Sequence, residues 1–176
     1  SQFTGDIKVA TWNTQALFAR KVRRHLPKMQ EVNRLAMSHD ALLLTETHGK
    51  PGEELTLSLP KGWRAWWAHG SATRAGVAIW ISPRLQAQFD ETLTRWETIS
   101  PGRAAVLRLQ GSQGCLDLWV TYFATGTPGE VQANAGNCEL DFMRSISTQR
   151  QEMREAIAAH ISPRSQVLTI LAGDFN

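Results

Sequence analysis

Cysteine is scarce in this chain. Cys115 and Cys138 are its only two, and they lack the paired spacing of a zinc site. Two thiols are also too few for a disulfide framework, so they read as isolated cysteines of a reducing compartment. No apolar run approaches the roughly 20 residues needed to span a bilayer. The opening Ser-Gln-Phe-Thr-Gly has neither the charged nor the apolar block of a signal peptide. Internal repeats and low-complexity segments are lacking as well. These absences argue against membrane-spanning, disulfide-stapled and repeat architectures, and predict one soluble domain. Basic density is also modest. A net charge of +3 and a pI near 9.2 are compatible with a polyanionic partner but fall far short of a dedicated basic arm. What is present is 42% hydrophobic and 20% charged residues, the balance of a folded chain with a sizeable core. The chain opens at Ser1 without methionine and stops on Asn176 directly after a strand-like run, so both ends are expected to be cut from something longer.

Residues 7–12 (IKVATW) form a short β-rich run with Asn13 at its tip. Pro27 is expected to open a helix through Ser38, with Met29, Val32, Leu35 and Ala36 along one face. Residues 41–45 (ALLLT) are apolar on both faces, the mark of a central strand, and deliver Glu46, Thr47 and His48 to its carboxyl end. Gly, Pro and Glu between 49 and 60 read as a loop. Strands are then expected at 63–69, 76–81, 86–96, 103–110 and 116–124, which without intervening helices implies an antiparallel stretch. A Gly-rich loop follows at 125–136. Asn137 then caps an amphipathic helix carrying Leu140, Met143, Ile146, Met153, Ile157 and Ile161, closed by Pro163. Residues 167–172 (VLTILA) form another buried strand, ending in Gly173-Asp174-Phe175-Asn176. The order β-α-β, meander, α-β gives a mixed sheet layered with helices.

Three strongly apolar strands thus end in Asn13, Glu46 and Asp174 with Asn176, and in open α/β sheets the strand ends are where sites assemble. A hard cation such as Mg²⁺ takes oxygen ligands and retains water, so a carboxylate such as Glu46 beside amide oxygens suits it better than His or Cys clusters would. Phosphodiester cleavage further needs an in-line water and charge stabilisation on the phosphoryl oxygens. A second carboxylate and an amide donor, Asp174 and Asn176, can supply both.

Thr11-Trp12-Asn13, Leu43-Leu44-Thr45-Glu46-Thr47, Gly76-Val77-Ala78-Ile79, Val120-Thr121-Tyr122-Phe123 and Gly173-Asp174-Phe175-Asn176 together resemble the successive motifs of the endonuclease/exonuclease/phosphatase superfamily. In style they are nearest to apurinic/apyrimidinic endonucleases and to the endonuclease domains of non-LTR retrotransposons. The resemblance implies an α/β (α+β) sandwich of the deoxyribonuclease I-like type, with mixed sheets and outer helices, and makes the chain the N-terminal portion of one such domain. It gives Asn13 and Glu46 to a metal site for Mg²⁺ or Mn²⁺, Asp174 to the attacking water, and Asn176 to transition-state contacts. Arg103, in Pro-Gly-Arg-Ala, matches a phosphate-touching arginine, and Arg74 precedes a motif strand from which it could enter a groove. The family's phosphate-side tyrosine falls on Phe123 in one alignment and on Tyr122 after a shift of one residue. A late Asp and a terminal Ser-Asp-His element are absent, and none of His25, His39, His48, His69 and His160 matches them. Loss of such an acid/base partner costs about 10² to 10⁴ in rate, so the isolated chain is expected to be inactive.

Plainer readings stand beside these. Asp-Phe-Asn is commonly a turn, Asn13 a local cap, and Glu46 a solvated strand end. Trp63, Trp66 and Trp67 are expected in the core rather than stacked on bases. The run Arg20, Lys21, Arg23 and Arg24 is either a backbone-binding patch or a solvated helix face. The sequence leads to a metal-dependent endonuclease in the parent protein, with nucleic acid, DNA first, as partner, no membrane, and a fused reverse transcriptase or other downstream domain. A phosphatase or lipid phosphodiesterase of the same superfamily, or a non-catalytic remnant of the fold, are the alternatives.

Overall fold

The computed structural model describes residues 1–19, 21–71, 74–123 and 146–176. The expected loop 125–136, Arg20, Ala124, Cys138 and the Asn137 cap with Leu140 and Met143 lie outside these residues.

Strand β1 (Val9–Asn13) leads through helix α1 (Val22–Ser38) into β2 (Ala41–Thr45), which pairs with β1 in parallel, Asn13 opposite Thr45. Strands β3 (Arg64–Ala68) and β4 (Val77–Ile81) add an antiparallel flank, giving a first sheet in the order β1-β2-β4-β3. A short helix α2 (Pro83–Gln86) precedes the antiparallel meander of β5 (Arg95–Ser100), β6 (Ala104–Gly111) and β7 (Gly114–Tyr122). Helix α3 (Ile146–Ile161) returns the chain to β8 (Leu168–Asp174), parallel to β7, so the second sheet runs β5-β6-β7-β8. A parallel neighbour requires such a crossover, because a tight hairpin can only join antiparallel strands.

Period-two alternation sorts the side chains into layers. Ala41 and Leu43 of β2 and Val77, Ile79 and Ile81 of β4 share one core with Ala105 and Leu107 of β6 and Leu116, Leu118 and Val120 of β7. The intervening Leu42, Leu44, Ala78 and Trp80 turn outward and cluster with Leu17 and with Val32 of α1. On the far side, Met153 and Ile157 of α3 cover Val106 and Trp119. The result is a helix-sheet-sheet-helix sandwich. Leu42, Leu43 and Leu44 are wholly buried because β2 has an apolar layer on each face.

Four expectations change. The strands divide into two sheets, as the sandwich implied by the resemblance requires and unlike the single mixed sheet read from element order. Helix α1 begins at Val22, with Pro27 in its second turn, where proline forfeits one intrahelical bond without ending the helix. The strand expected at 86–96 is instead helical turns followed by the start of β5. Ser82 caps α2 by accepting from Leu85 N–H at 3.1 Å, with Pro83 at the first helical position, and Asp90 caps a second turn over Glu91–Leu93. The loop 49–60 contains a helical turn at Glu53–Thr56. Trp66 packs in the inter-sheet core, and Trp63 and Trp67 pack under α1, as expected of core residues.

Candidate active site

The alternation that builds the inner core also aims side chains into the cleft where the strands end. Asn13 shares its face with Val9, Tyr122 with Val120, and Asp174 with Ile170 and Ala172, all pointing between the sheets. Asn13 Nδ2 donates to Asp174 Oδ2 at 3.1 Å, linking the tip of β1 to that of β8. Glu46 follows Thr45 and would face α1 if the strand continued. Its backbone instead turns left-handed, with φ of 52°, and its carboxylate accepts from the Tyr122 hydroxyl of the opposite sheet. The site is thus made of two pairs, each crossing from one sheet to the other.

Six non-glycine residues among those described have left-handed φ: Gln15, Ala16, Glu46, His48, Ala75 and Asn176. All lie in the loops that frame this cleft. Such residues cost on the order of 1–3 kcal/mol each and persist where surrounding contacts hold them, chiefly at functional sites. The holding contacts are visible. Thr14 Oγ1 donates to the carbonyls of Thr45 and Glu46, each at 3.0 Å, and Ala16 N–H to Glu46 O at 2.8 Å. His48 N–H donates to Ala75 O at 3.0 Å. Asn176 N–H donates to Asp174 Oδ1 at 3.2 Å while its side-chain amide donates to Phe123 O at 3.0 Å.

Cationic groups surround Glu46. Arg103 stacks over the Tyr122 ring at 5.2 Å, and its buried Nη1 has no hydrogen-bond partner among the described residues. Burial pulls this guanidinium below its ordinary pKa and Arg74 adds to the effect, while Tyr122 and Glu46 oppose it. The approach of Arg103 depends on Gly102, at φ of 68°. A Cβ there would lie 2.7 Å from Gly70 Cα, and the Gly102 carbonyl accepts from Gly76 N–H at 2.9 Å, locking three loops together. Burial likewise lowers the pKa of His48, with Glu46 opposing and Lys28 reinforcing the shift.

The structure therefore brings together Asn13, Glu46, Asp174, Asn176, Tyr122 and Arg103, with Arg74 close enough to act on Arg103. Tyr122, not Phe123, faces Glu46. Phe123 packs against Phe175 at 5.5 Å and joins the cluster under α3. Lys28 is the residue that sequence reasoning missed. Its signal was available, since it lies four residues before the fully buried Val32 and so places a cation on the packed stripe of α1.

The donor set suits a hard divalent cation. Glu46 keeps one carboxylate oxygen without a hydrogen bond from any described residue, beside an amide and a second carboxylate. Among the described residues no three or more His, Cys, Asp or Glu side chains group to hold a metal ion by themselves.

A two-sheet sandwich with outer helices and an acid-amide cleft at the strand ends is the deoxyribonuclease I-like architecture. A model of the Endonuclease/Exonuclease/phosphatase family matches residues 10–176, and the chain belongs to that family. Its members are generally hydrolytic nucleases and phosphodiesterases, typically dependent on divalent metals. The chain is similar to D. rerio TDP2 complexed with a single-strand DNA product, at 14% identity and a TM-score of 0.60, covering 97% of this chain and 60% of that one. It is similar to the human Nocturnin catalytic domain with bound sulfate, at 18% identity and 0.59, covering 97% and 64%. It is also similar to the Xenopus laevis APE2 catalytic domain, at 16% identity and 0.56, covering 97% and 58%. The chain thus spans about three fifths of the length of these structures, and at such identities the likeness is one of fold. No curated protein sequence matches it.

Proposed function

We propose that the whole protein is a divalent-metal-dependent phosphodiesterase that hydrolyses nucleic acid, DNA first, with Mg²⁺ or Mn²⁺ as cofactor. The observation that carries this reading is the pair of cross-sheet contacts, Asn13 to Asp174 and Glu46 to Tyr122, in strained loops beside a half-buried arginine whose buried Nη1 is a spare donor. Glu46 would hold the metal, with Asn13 contributing the lone pair that Oδ1 retains after accepting Gln15 N–H at 3.0 Å. When bound, a hard cation lowers the pKa of its water and offsets charge on the phosphoryl oxygens. Asp174, oriented by the Asn13 amide, takes the proton of the attacking water. Arg103 aims its free Nη1 at a phosphate oxygen, and Arg74 and Asn176 add donors at the rim. Tyr122 holds the Glu46 carboxylate and stacks under Arg103, so it positions both charges.

The nucleic-acid part draws support from the net charge of +3 and from the relative crystallised with single-strand DNA. A fused reverse transcriptase draws no support from these relatives and forms no part of the proposal. The test is Glu46→Gln in the whole protein, assayed on supercoiled plasmid in Mg²⁺. Cleavage should vanish with the fold intact, and unchanged cleavage would remove Glu46 from the mechanism. Salt dependence checks the substrate class. The logarithm of nucleic-acid affinity should fall by about 0.9 per neutralised phosphate for each tenfold rise in salt. A flat response would move the assignment to small or lipid phosphoesters.

A further inference from the structure

Lys28 lies on α1, yet its ammonium donates to the backbone carbonyls of Thr14 and Gln15, in the loop joining β1 to that helix. The turn it grips is unfavourable by itself, since Gln15 and Ala16 have φ of 45° and 73°. The same turn touches both proposed metal ligands. Gln15 N–H donates to Asn13 Oδ1, and Ala16 N–H and Thr14 Oγ1 both donate to the Glu46 carbonyl. Two carbonyl oxygens converging on one point repel each other unless a cation sits between them, and Lys28 supplies it. We infer that Lys28 is a positioning residue for the metal site, locking the turn whose Gln15 and Ala16 are left-handed so that Asn13 and Glu46 keep the geometry to hold the ion. This inference rests on the metal reading above.

Two roles for Lys28 make opposite predictions, which gives the test its sign. The ammonium lies within electrostatic reach of Glu46 and would repel a divalent cation there. If Lys28 were only a neighbouring charge, removing it would tighten metal binding. If it positions the turn, removing it loosens binding, by about 10- to 100-fold, the usual effect of losing a group that orients a metal ligand.

The experiment is Mn²⁺ titration of the whole protein, read by electron paramagnetic resonance, for wild type, Glu46→Gln, Lys28→Met and Lys28→Gln. Weaker binding in Lys28→Met, with partial retention in Lys28→Gln, which keeps a donor without the charge, supports the positioning role. Equal or tighter binding in both overturns it. If Lys28→Met does not fold by circular dichroism, Lys28→Gln decides alone, looser binding supporting the role and equal or tighter binding overturning it. Recovery of Mn²⁺ affinity in Lys28→Ala on adding ethylammonium is a further supporting outcome that general destabilisation would not give, and its absence in a folded variant counts against the clamp. Should wild type and Glu46→Gln bind Mn²⁺ equally, the metal reading itself fails, independently of Lys28.

Discussion

Strands β2 and β8 have nearly the same composition, ALLLT and LTILAGD, and each carries a candidate carboxylate at its tip, yet they occupy different places. β2 is central. It pairs with β1 on one side and β4 on the other, and all five of its residues are buried. β8 lies at the margin of its sheet, pairs only with β7 among the described strands, and leaves Leu171 40% exposed. An apolar run therefore does not by itself report full burial, since it is silent about whether both edges of the strand meet neighbours. The carboxylates inherit the difference. Glu46 extends from a fixed strand through a strained residue, whereas Asp174 is fixed by side-chain and backbone partners, Asn13 and Asn176, and by the close approach of Gly173 to the Thr121 carbonyl.

The sharpest way to separate the two tips is by chemistry. In the whole protein, Asp174→Asn should lower plasmid cleavage by about 10² to 10⁴, the range for loss of a general base, while leaving Mn²⁺ affinity near wild type. Glu46→Gln should lose both. Equal loss of Mn²⁺ affinity in the two variants would merge roles assigned separately here. The strands themselves are separated by stability. Leu43→Ala opens a cavity in the core shared by both sheets and should cost about 2–5 kcal/mol in urea unfolding. Ile170 of β8 is only half-buried, so Ile170→Ala should fall at or below the low end of that range of about 2–5 kcal/mol. Equal costs would mean that β8 is packed as tightly as β2 and that the contrast drawn from exposure is wrong.

The same contrast explains what could be read in advance. The limits of β2 and the polar residues at the tips of β1, β2 and β8 were legible, because a buried strand is apolar without interruption and its end shows where polarity returns. The division into two sheets was legible through the family motifs and not through alternation, which says that a residue faces a core without naming the strand opposite. Tyr122 and Phe123 were ambiguous in alignment and become distinct only through strand parity, which sends one to Glu46 and the other under α3. The region 82–93 was misread because Ser82-Pro83 and Asp90, each a cap for a short turn, were passed over in favour of β-rich neighbours. The place of Lys28 on the packed stripe of α1 was legible, but its partners were not, since they are backbone carbonyls, which carry no signature in sequence.

The smallest predicted effect concerns the opposite end of β2. Asp40, just before the strand, is buried and receives Arg84 Nε on Oδ1 at 2.8 Å, Arg84 Nη2 on Oδ2 at 2.6 Å and Lys8 N–H on Oδ2 at 2.8 Å. Hydrogen bonding from Arg84 is the main cause holding its carboxyl below the ordinary aspartate value, against the opposing effect of burial. A depressed folded pKa contributes stability above the unfolded value, near 3.9, and that contribution disappears as pH falls through the lower folded value. Wild type and Arg84→Gln should therefore differ most in melting temperature near neutral pH and converge below about pH 4. Near the corresponding end of β8 the clamp is between Asp117 of β7 and, at 2.7 Å, Arg164 in the helical turn Ser162–Arg164 that follows α3, so it fixes the approach to β8 rather than the strand itself. If the gap between wild type and Arg84→Gln stayed constant from neutral to acid pH, Asp40 would not be the group through which Arg84 acts, and the root of β2 would be held by packing alone.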